Sequence, residues 1–154
     1  LELKAIDLSK GAIETCKLRG VKKSEVLDVL DEMDTYDTIL MLMNGTGIFQ
    51  ELKQVGNYLS HLKKLLKPKG QILVDSSDII YMYEEDDGSF CLDLNANYYG
   101  ELEYFLSYNG EDEEPFKMLY MDFNLLQKAC EAVDLNWDLV MEGEHCDYLA
   151  KIVH

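Results

Sequence analysis

Hydrophobic and polar positions along the chain follow patterns typical of strands in some segments and of helices in others. The run from Thr38 to Met43 (TILMLM) has no polar alternation, which is typical of a strand buried on both faces of a mostly parallel sheet. It ends at Asn44, and the sequence NGTG at residues 44–47 contains two glycines. Ligands of open α/β sheets bind where such strands end. We therefore expect residues 44–47 to form a loop beside a binding site.

The segments around this strand repeat the order strand, helix, strand. Ser9 is a good N-cap for a first helix, and Gly20 stands where a left-handed residue would end it. From Phe49 to Leu66, apolar residues recur at helical spacing. This order indicates right-handed crossovers, so we predict an α/β fold with an open, mostly parallel sheet and helices on both faces. The predicted strands cover residues 3–7, 25–29, 38–43 and 71–75.

Residues 79–121 interrupt this order with a segment that contains ten of the sixteen aromatic residues of the chain. Apolar and polar residues alternate on both sides of Asn109-Gly110, which predicts an antiparallel hairpin. Asp122 then caps a predicted helix. The closing strands, predicted as an antiparallel pair, are Trp137–Glu142 and Asp147–Val153. We expect a single domain over residues 1–154, with the aromatic-rich hairpin inserted at about 79–121.

The charge of the chain narrows its expected partners. Fourteen basic and thirty acidic residues give a formal net charge of −16. Such a charge repels phosphate backbones and argues against nucleic acid as a partner. The sequence shows neither a membrane-length apolar run nor a basic-then-apolar leader, so we expect a cytoplasmic protein without a membrane partner.

Cysteines, histidines and acidic runs give no metal site at recognisable spacing. The four cysteines are scattered without a C-x-x-C pair. Cys146 follows His145 and could be a nucleophile or a ligand, but opposite orientations of the two side chains on a strand are the favoured interpretation. The acidic runs at 84–88 and 111–114 lack the alternating ligands of a calcium loop, so we interpret them as solvated turns and expect no metal.

Three segments, in this order and spacing, resemble the class I S-adenosylmethionine-dependent methyltransferases. AIDLSKGAIE at residues 5–14 resembles the second strand of that family and the helix that follows it. YDTIL at 36–40 resembles the fourth strand, and LLKPKGQIL at 65–73 resembles the turn into the fifth. The closing strand pair matches the same fold. The resemblance covers most of 1–76 and 122–154, and it implies a Rossmann-like sheet and S-adenosylmethionine as cofactor.

The resemblance implies roles for four residues around the cofactor. Asp7 would accept hydrogen bonds from the ribose hydroxyls, because an ionised carboxylate at a strand end can bind a vicinal diol. Asp28 would lie near the adenine amino group, and Asp31 is a close competitor for that role. Asn44 and Gly45 would lie beside the methionine part, although the glycines of this loop are equally compatible with a simple turn.

No catalytic residue is assigned, because methyl transfer can be accelerated mainly by holding the acceptor close and in line. Five side chains at or just beyond strand ends are expected to bind the acceptor: Thr46, Ser76, Asp78, Tyr81 and Tyr83. For the two tyrosines, packing within the hairpin is the competing interpretation. The hairpin itself would be a wall or lid over the acceptor, or the surface of a homodimer.

The glycine-rich loop that precedes the acidic strand end in this family has no counterpart here, since only six residues precede Asp7. We therefore expect the chain to be the C-terminal part of a longer methyltransferase, or one without its first strand, and to bind the cofactor poorly alone. The acceptor would be a small molecule or a protein. A non-catalytic interaction module that uses the tyrosine-rich hairpin is the alternative. A nicotinamide site is disfavoured, because Asp7–Gly11 supplies one glycine where three are needed.

Overall fold

A computed structural model describes residues 2–93, 95–144 and 146–154 of the chain. Contacts within the chain divide it into two compact units, Leu1–Thr35 and Tyr36–His154. The mixed α/β class with parallel strand pairing is confirmed, whereas the single domain over 1–154 stays a prediction.

The first unit consists of two parallel strands and the helix that connects them. Its elements are β1 (Lys4–Asp7), α1 (Lys10–Leu18) and β2 (Lys23–Val26). Ser9 caps α1 through its side chain, and Gly20 follows the helix with a φ of +83°, as the sequence predicts. The second strand ends before the predicted Val29, because the Asp28 side chain accepts a hydrogen bond from Leu30 N and opens a 3₁₀ turn.

The second unit contains a four-stranded sheet and two helices. Its elements are β3 (Tyr36–Met41), α2 (Val55–Leu65), β4 (Leu66–Ser77), α3 (Phe123–Glu131), β9 (Asn136–Glu142) and β10 (Asp147–Val153). The strand order in the sheet is β3-β4-β10-β9, in which β3 and β4 are parallel and the remaining neighbours are antiparallel. Helix α2 contacts β4, α3 contacts β9, and the two helices contact each other, so their buried faces form the core with one face of the sheet.

The central strand differs from the prediction in its burial. β3 ends at Met41, and Leu40 and Leu42 are 57% and 51% exposed, so burial on both faces was wrong. The physical reason is that α2 and α3 bury one face of the four-stranded sheet, and the residues of β3 alternate between that face and the other. The alternate residues Ile39 and Met41 face the covered side, whereas Leu40 points the other way.

The helix predicted from Phe49 to Leu66 starts later than its apolar pattern suggests. Two 3₁₀ turns, Gly45–Phe49 and Leu52–Gln54, precede α2. Gln50 separates them with a φ of +64°, a left-handed conformation that interrupts helical hydrogen bonding. The helix therefore begins at Val55, and Leu66 already belongs to β4.

The aromatic-rich segment contains two short antiparallel strand pairs. Their strands are β5 (Glu101–Tyr104), β6 (Ser107–Tyr108), β7 (Glu111–Asp112) and β8 (Phe116–Leu119). β5 pairs with β8, and β6 pairs with β7 across a turn in which Asn109 and Gly110 have positive φ. Within the described ranges, no helix is long and apolar enough to cross a membrane.

Candidate functional site

In the first unit, Asp7 and Asp28 lie at the same end of the parallel strand pair. Asp7 ends β1, and its Cα partner across the ladder is Val26, two residues before Asp28. Asp7 is exposed, and its Oδ1 accepts a hydrogen bond from Ser9 N at 2.7 Å. Its Oδ2 makes no hydrogen bond to any described residue. A carboxylate oxygen is thus free for a ligand at the carboxyl end of β1.

Asp28 is more constrained than Asp7. It is half-buried, and its Oδ1 accepts from Leu30 N at 2.9 Å, which fixes the 3₁₀ turn after β2. The competitor Asp31 is exposed and donates its backbone N–H to the carbonyl of Asp28. Both carboxylates belong to the same turn, so the choice between them stays a prediction.

A buried ion pair that sequence reasoning missed also lies in this unit. Glu32 is buried and accepts from Lys4 Nζ at 2.7 Å, and its other oxygen accepts from the backbone N–H groups of Met33 and Asp34. Burial by itself would raise the pKa of Glu32, but the Lys4 ammonium and these backbone donors lower it to about 2. The pair fixes the segment after the 3₁₀ turn to β1. The acidic run at 31–34 gave no signal for it.

In the second unit, the loop after β3 has a strained backbone that Asp75 stabilises. Met43 and Asn44 have φ values of +68° and +61°, which are unusual for non-glycine residues. Asp75 Oδ2 accepts from Met43 N at 3.1 Å, and Oδ1 accepts from Gly45 N at 2.9 Å. The Asn44 side chain also accepts from Ser77 Oγ at 3.4 Å. Asp75 was not predicted as a site residue, because its partners are about thirty residues away in the sequence.

Thr46 and Ser76 join the same loop to the aromatic-rich segment from inside the protein. They are 0% and 1% exposed, and their hydroxyl oxygens lie 2.6 Å apart. Thr46 Oγ1 donates to the carbonyl of Leu119, and Ser76 Oγ accepts from Met121 N at 3.0 Å. Their contact with a methyl acceptor stays a prediction, and full burial with internal partners gives it no support.

Asp78 and three tyrosines form a cluster beyond the end of β4. Asp78 Oδ1 accepts from Ile80 N at 3.0 Å and from the Tyr99 hydroxyl at 2.8 Å. Tyr83 donates its hydroxyl to the carbonyl of Tyr99, and the two rings meet edge to face with centroids 6.0 Å apart. Tyr81 is 53% exposed. The structure thus brings the predicted residues Asp78 and Tyr83 together through Tyr99, which sequence reasoning did not single out.

Tyr98 connects this cluster to α3. Its ring lies 4.4 Å from that of Tyr99, and its hydroxyl donates to Asp122 Oδ2 at 2.9 Å. Burial raises the pKa of both Tyr98 and Tyr99 above the ordinary value. Both phenols therefore stay protonated, so each can donate to its carboxylate at neutral pH.

Glu51, Asp37 and Asp138 have lysine partners in the second unit, whereas Asp78 has none among the described residues. A hollow of about 410 Å³ lies between residues 51–53 and 97–101. On its wall, Glu51 pairs with Lys117 at 2.6 Å and Lys53 at 2.8 Å, and these partners lower the pKa of Glu51 to about 2. No lysine or arginine among the described residues forms an ion pair with Asp78. The donors to Asp78 that the described residues supply, Ile80 N and the Tyr99 hydroxyl, are both neutral.

Metal binding has no support in the part of the chain that the structure describes, since no three ligating side chains come together there. His145 lies outside the described residues, so the expected opposite orientation of the His145 and Cys146 side chains stays a prediction. Cys146 itself is exposed. The solvated-turn interpretation of the acidic runs also stays a prediction.

Comparisons with known proteins identify the fold. No protein-family model and no curated protein match the chain. A solved S-adenosylmethionine-dependent methyltransferase from Bacteroides fragilis, in complex with S-adenosyl-L-homocysteine, is 41% identical with a TM-score of 0.89. The match covers 97% of this chain and 62% of that protein, so the chain spans less than two thirds of its length.

More distant structures agree on the fold. A methyltransferase from Clostridium acetobutylicum is 14% identical with a TM-score of 0.65, over 97% of this chain and 73% of its own. The CcbJ methyltransferase from Streptomyces caelestis is 12% identical with a TM-score of 0.68, over 99% and 74%. The resemblance found in the sequence is thereby confirmed: this chain has the fold of the class I S-adenosylmethionine-dependent methyltransferases.

Proposed function

We propose that this chain is part of an enzyme that transfers a methyl group from S-adenosylmethionine to a small molecule or a protein. The observation that carries the proposal is the 41% identity, over 97% of the chain, to a methyltransferase solved with S-adenosyl-L-homocysteine. The distant neighbours support the fold alone. The net charge of −16 argues against a nucleic-acid acceptor.

The residues present fit the cofactor in the chemistry of their donors and acceptors. Asp7 has a carboxylate oxygen that makes no hydrogen bond within the described part of the chain, as an acceptor for ribose hydroxyls requires. Asp28 is the proposed contact of the adenine amino group. Asn44 and Gly45 belong to the loop that Asp75 fixes at the end of β3, and we assign them to the methionine part.

When bound, S-adenosylmethionine supplies an electrophilic methyl group on a positively charged sulfur. The residues of this chain then have two tasks, to bind the cofactor in one orientation and to place the acceptor in line with the methyl group. Asp75 serves the first task as a positioning residue, because it restrains the backbone of the loop. Asp78, Tyr81 and Tyr83 are the proposed acceptor contacts, and the aromatic-rich segment is the proposed wall of the acceptor site.

We further propose that the chain acts within a longer enzyme. It spans 62% of the Bacteroides fragilis protein, so more than a third of that relative has no counterpart in it. In the second unit, Leu40, Leu42 and Met141 also leave large apolar side chains exposed. A further segment of the enzyme that covers this surface would remove them from water.

Calorimetric titration with S-adenosyl-L-homocysteine tests both proposals. We expect this chain alone to bind weakly and the longer protein to bind in the micromolar range. Micromolar binding by this chain alone would refute the requirement for the longer protein. Absence of binding by the longer protein would refute the proposal that S-adenosylmethionine is the cofactor.

Asparagine variants in the longer protein assign the cofactor contacts. Asp7→Asn should weaken cofactor binding by about tenfold or more, because each lost hydrogen bond to a charged group is worth about 1.5–3 kcal/mol. Asp86→Asn is the matched control, since Asp86 is exposed and makes no hydrogen bond to a described residue. Comparison of Asp28→Asn with Asp31→Asn decides which carboxylate contacts the adenine. If neither variant changes the affinity, the adenine role of this turn is wrong.

The second candidate function is an interaction module without catalysis. It is favoured by the tip of the aromatic-rich hairpin, where Phe105 and Tyr108 are 73% and 77% exposed. A homodimer through this tip is one form of it, and sedimentation velocity of the chain and of its Phe105→Ser variant tests that form. If the longer protein binds no cofactor while the Phe105→Ser variant no longer forms the homodimer, the interaction module replaces methyl transfer as the proposed function.

A further inference from the structure

The carboxyl end of β4 contains a charged group whose partners do not neutralise it. Asp78 is half-buried, and both hydrogen bonds of its side chain go to Oδ1, from Ile80 N and from Tyr99 Oη. Oδ2 makes no hydrogen bond to a described residue. A partly desolvated carboxylate is costly unless a cation or several donors compensate it. One oxygen of Asp78 is thus available to a cation that comes from outside.

The surroundings of Asp78 are aromatic and fixed in position. Tyr99 packs on Tyr98 and Tyr83, with ring centroids 4.4 Å and 6.0 Å away. The exposed Tyr81 follows three residues after Asp78, in the same 3₁₀ turn as Tyr83. Aromatic faces attract cations through their quadrupole, and the raised pKa of Tyr99 keeps its hydroxyl as a donor rather than a competing anion. Carboxylate and aromatic rings together favour an ammonium group over a hydroxyl or a carboxylate.

We propose that Asp78 and the tyrosines beside it bind an amino group of the methyl acceptor, so that the acceptor is an amine. This inference rests on the proposed methyl transfer and names its substrate class. The acceptor binds as an ammonium ion and loses one proton to solvent, which frees the nitrogen lone pair. The nitrogen–carbon bond then forms as the sulfur–carbon bond breaks, and that bonding pair stays on sulfur.

This charge balance explains the role of Asp78. The positive charge passes from sulfur to nitrogen during the transfer, so a fixed carboxylate near the nitrogen stabilises the developing ammonium. The methylated nitrogen loses its extra proton to solvent afterwards. A neutral hydroxyl group carries no positive charge for the Asp78 carboxylate to attract when the acceptor binds.

A binding experiment that needs no cofactor tests the inference on this chain. The probe is benzylammonium, and benzyl alcohol is its neutral counterpart of similar shape. Titrations followed by amide chemical shifts in NMR spectra should show millimolar binding of benzylammonium with shifts at Ile80 and Tyr99. Benzyl alcohol should bind at least tenfold more weakly. Equal binding of both probes, or shifts confined to the acidic runs at 84–88 and 111–114, would overturn the inference.

Two variants with matched controls locate the site. Asp78→Asn keeps an acceptor for Ile80 N and Tyr99 Oη but removes the charge, so it should weaken benzylammonium binding tenfold or more. Glu14→Gln, which removes an exposed carboxylate of α1 outside the aromatic-rich segment, should change it less than twofold. Tyr81→Leu removes an exposed ring and should weaken binding by about two- to fivefold, whereas Tyr81→Phe keeps the ring and should not. If Asp78→Asn and Glu14→Gln have equal effects, the probe binds the general acidic field and the inference is wrong.

A transfer assay with the longer protein separates this inference from the proposed function. Methyl transfer to amines but not to alcohols would support both. Transfer to alcohols alone would keep the proposed function and overturn the amine acceptor. If the longer protein binds no cofactor but this chain binds benzylammonium at Asp78, the cation site stands and the methyltransferase function fails.

Discussion

Replacement of Asp75 by asparagine tests whether this carboxylate shapes the loop at the end of β3. Asp75 accepts hydrogen bonds from Met43 N and Gly45 N, one on each oxygen. Asparagine can accept only one of them, and its NH2 group would then face the other backbone N–H. The substitution therefore removes one hydrogen bond and places two donors against each other.

The expected size of the effect follows from these contacts. A hydrogen bond to a charged group contributes about 1.5–3 kcal/mol, and the half-buried position of Asp75 favours the lower part of that range. The left-handed conformations of Met43 and Asn44 oppose this stabilisation. Each conformation costs about 1–2 kcal/mol, and the cost is smaller for asparagine. Loss of one hydrogen bond should leave this strain uncompensated and lower the free energy of loop opening by about 1.5–2 kcal/mol. The population of the open loop should therefore rise more than tenfold.

Amide hydrogen exchange at Met43 and Gly45 measures that opening directly. In Asp75→Asn, both amides should exchange more than tenfold faster, whereas amides in the middle of α3 should keep their rates. Asp86→Asn is the control for loss of one negative charge. Met43→Gly in the Asp75→Asn background should recover about 1 kcal/mol, because glycine adopts positive φ without strain. Exchange within twofold of the wild type, or no recovery by glycine, would refute the assigned role of Asp75.

Two further predictions concern packing and charge. Gly45→Ala should lower the free energy of unfolding by about 1–3 kcal/mol, because the new Cβ would lie 2.8 Å from Met41 Cβ. Gly47→Ala should cost less, because its new Cβ would meet the flexible end of the Met118 side chain. Equal midpoints of the two variants in urea unfolding would contradict this difference. Glu32→Gln should cost about 3 kcal/mol at pH 7, because the pKa of Glu32 is lowered from 4.5 to about 2. The Glu32 carboxylate stabilises the fold above pH 4.5, and this stabilisation is lost as the pH falls through 2. The amide exchange rates in β1 should therefore differ between wild type and variant at pH 7 and become equal near pH 2.

The elements with local signals could be predicted from the sequence, and those that depend on distant contacts could not. The cap at Ser9 and the left-handed Gly20 were predicted correctly, because each effect acts within one helical turn. The edge position of β3 depends on which strands pair, and the exposure of Leu40 depends on which face of the sheet the helices cover. The apolar run specifies neither. The candidate site also contains residues whose roles depend on distant contacts. Asp75 was missed because both of its partners lie in another loop.

The end of β4 explains why a cluster of polar residues in the sequence does not identify a binding site by itself. Four polar residues, Asp75 to Asp78, follow one another there, but successive side chains of a strand point to opposite faces. Ser76 lies on the buried face and binds internal partners, whereas Asp75 and Ser77 contact the loop after β3. Asp78 follows the strand, and one of its oxygens makes no hydrogen bond to a described residue. Alanine substitutions should therefore differ in effect along this segment. Loss at Ser76 should appear mainly in global stability, and loss at Asp75 in the order of the loop. Loss at Asp78 should appear in ligand binding and in the order of the turn at Ile80 and Tyr99, because the substitution removes the acceptor of both donors.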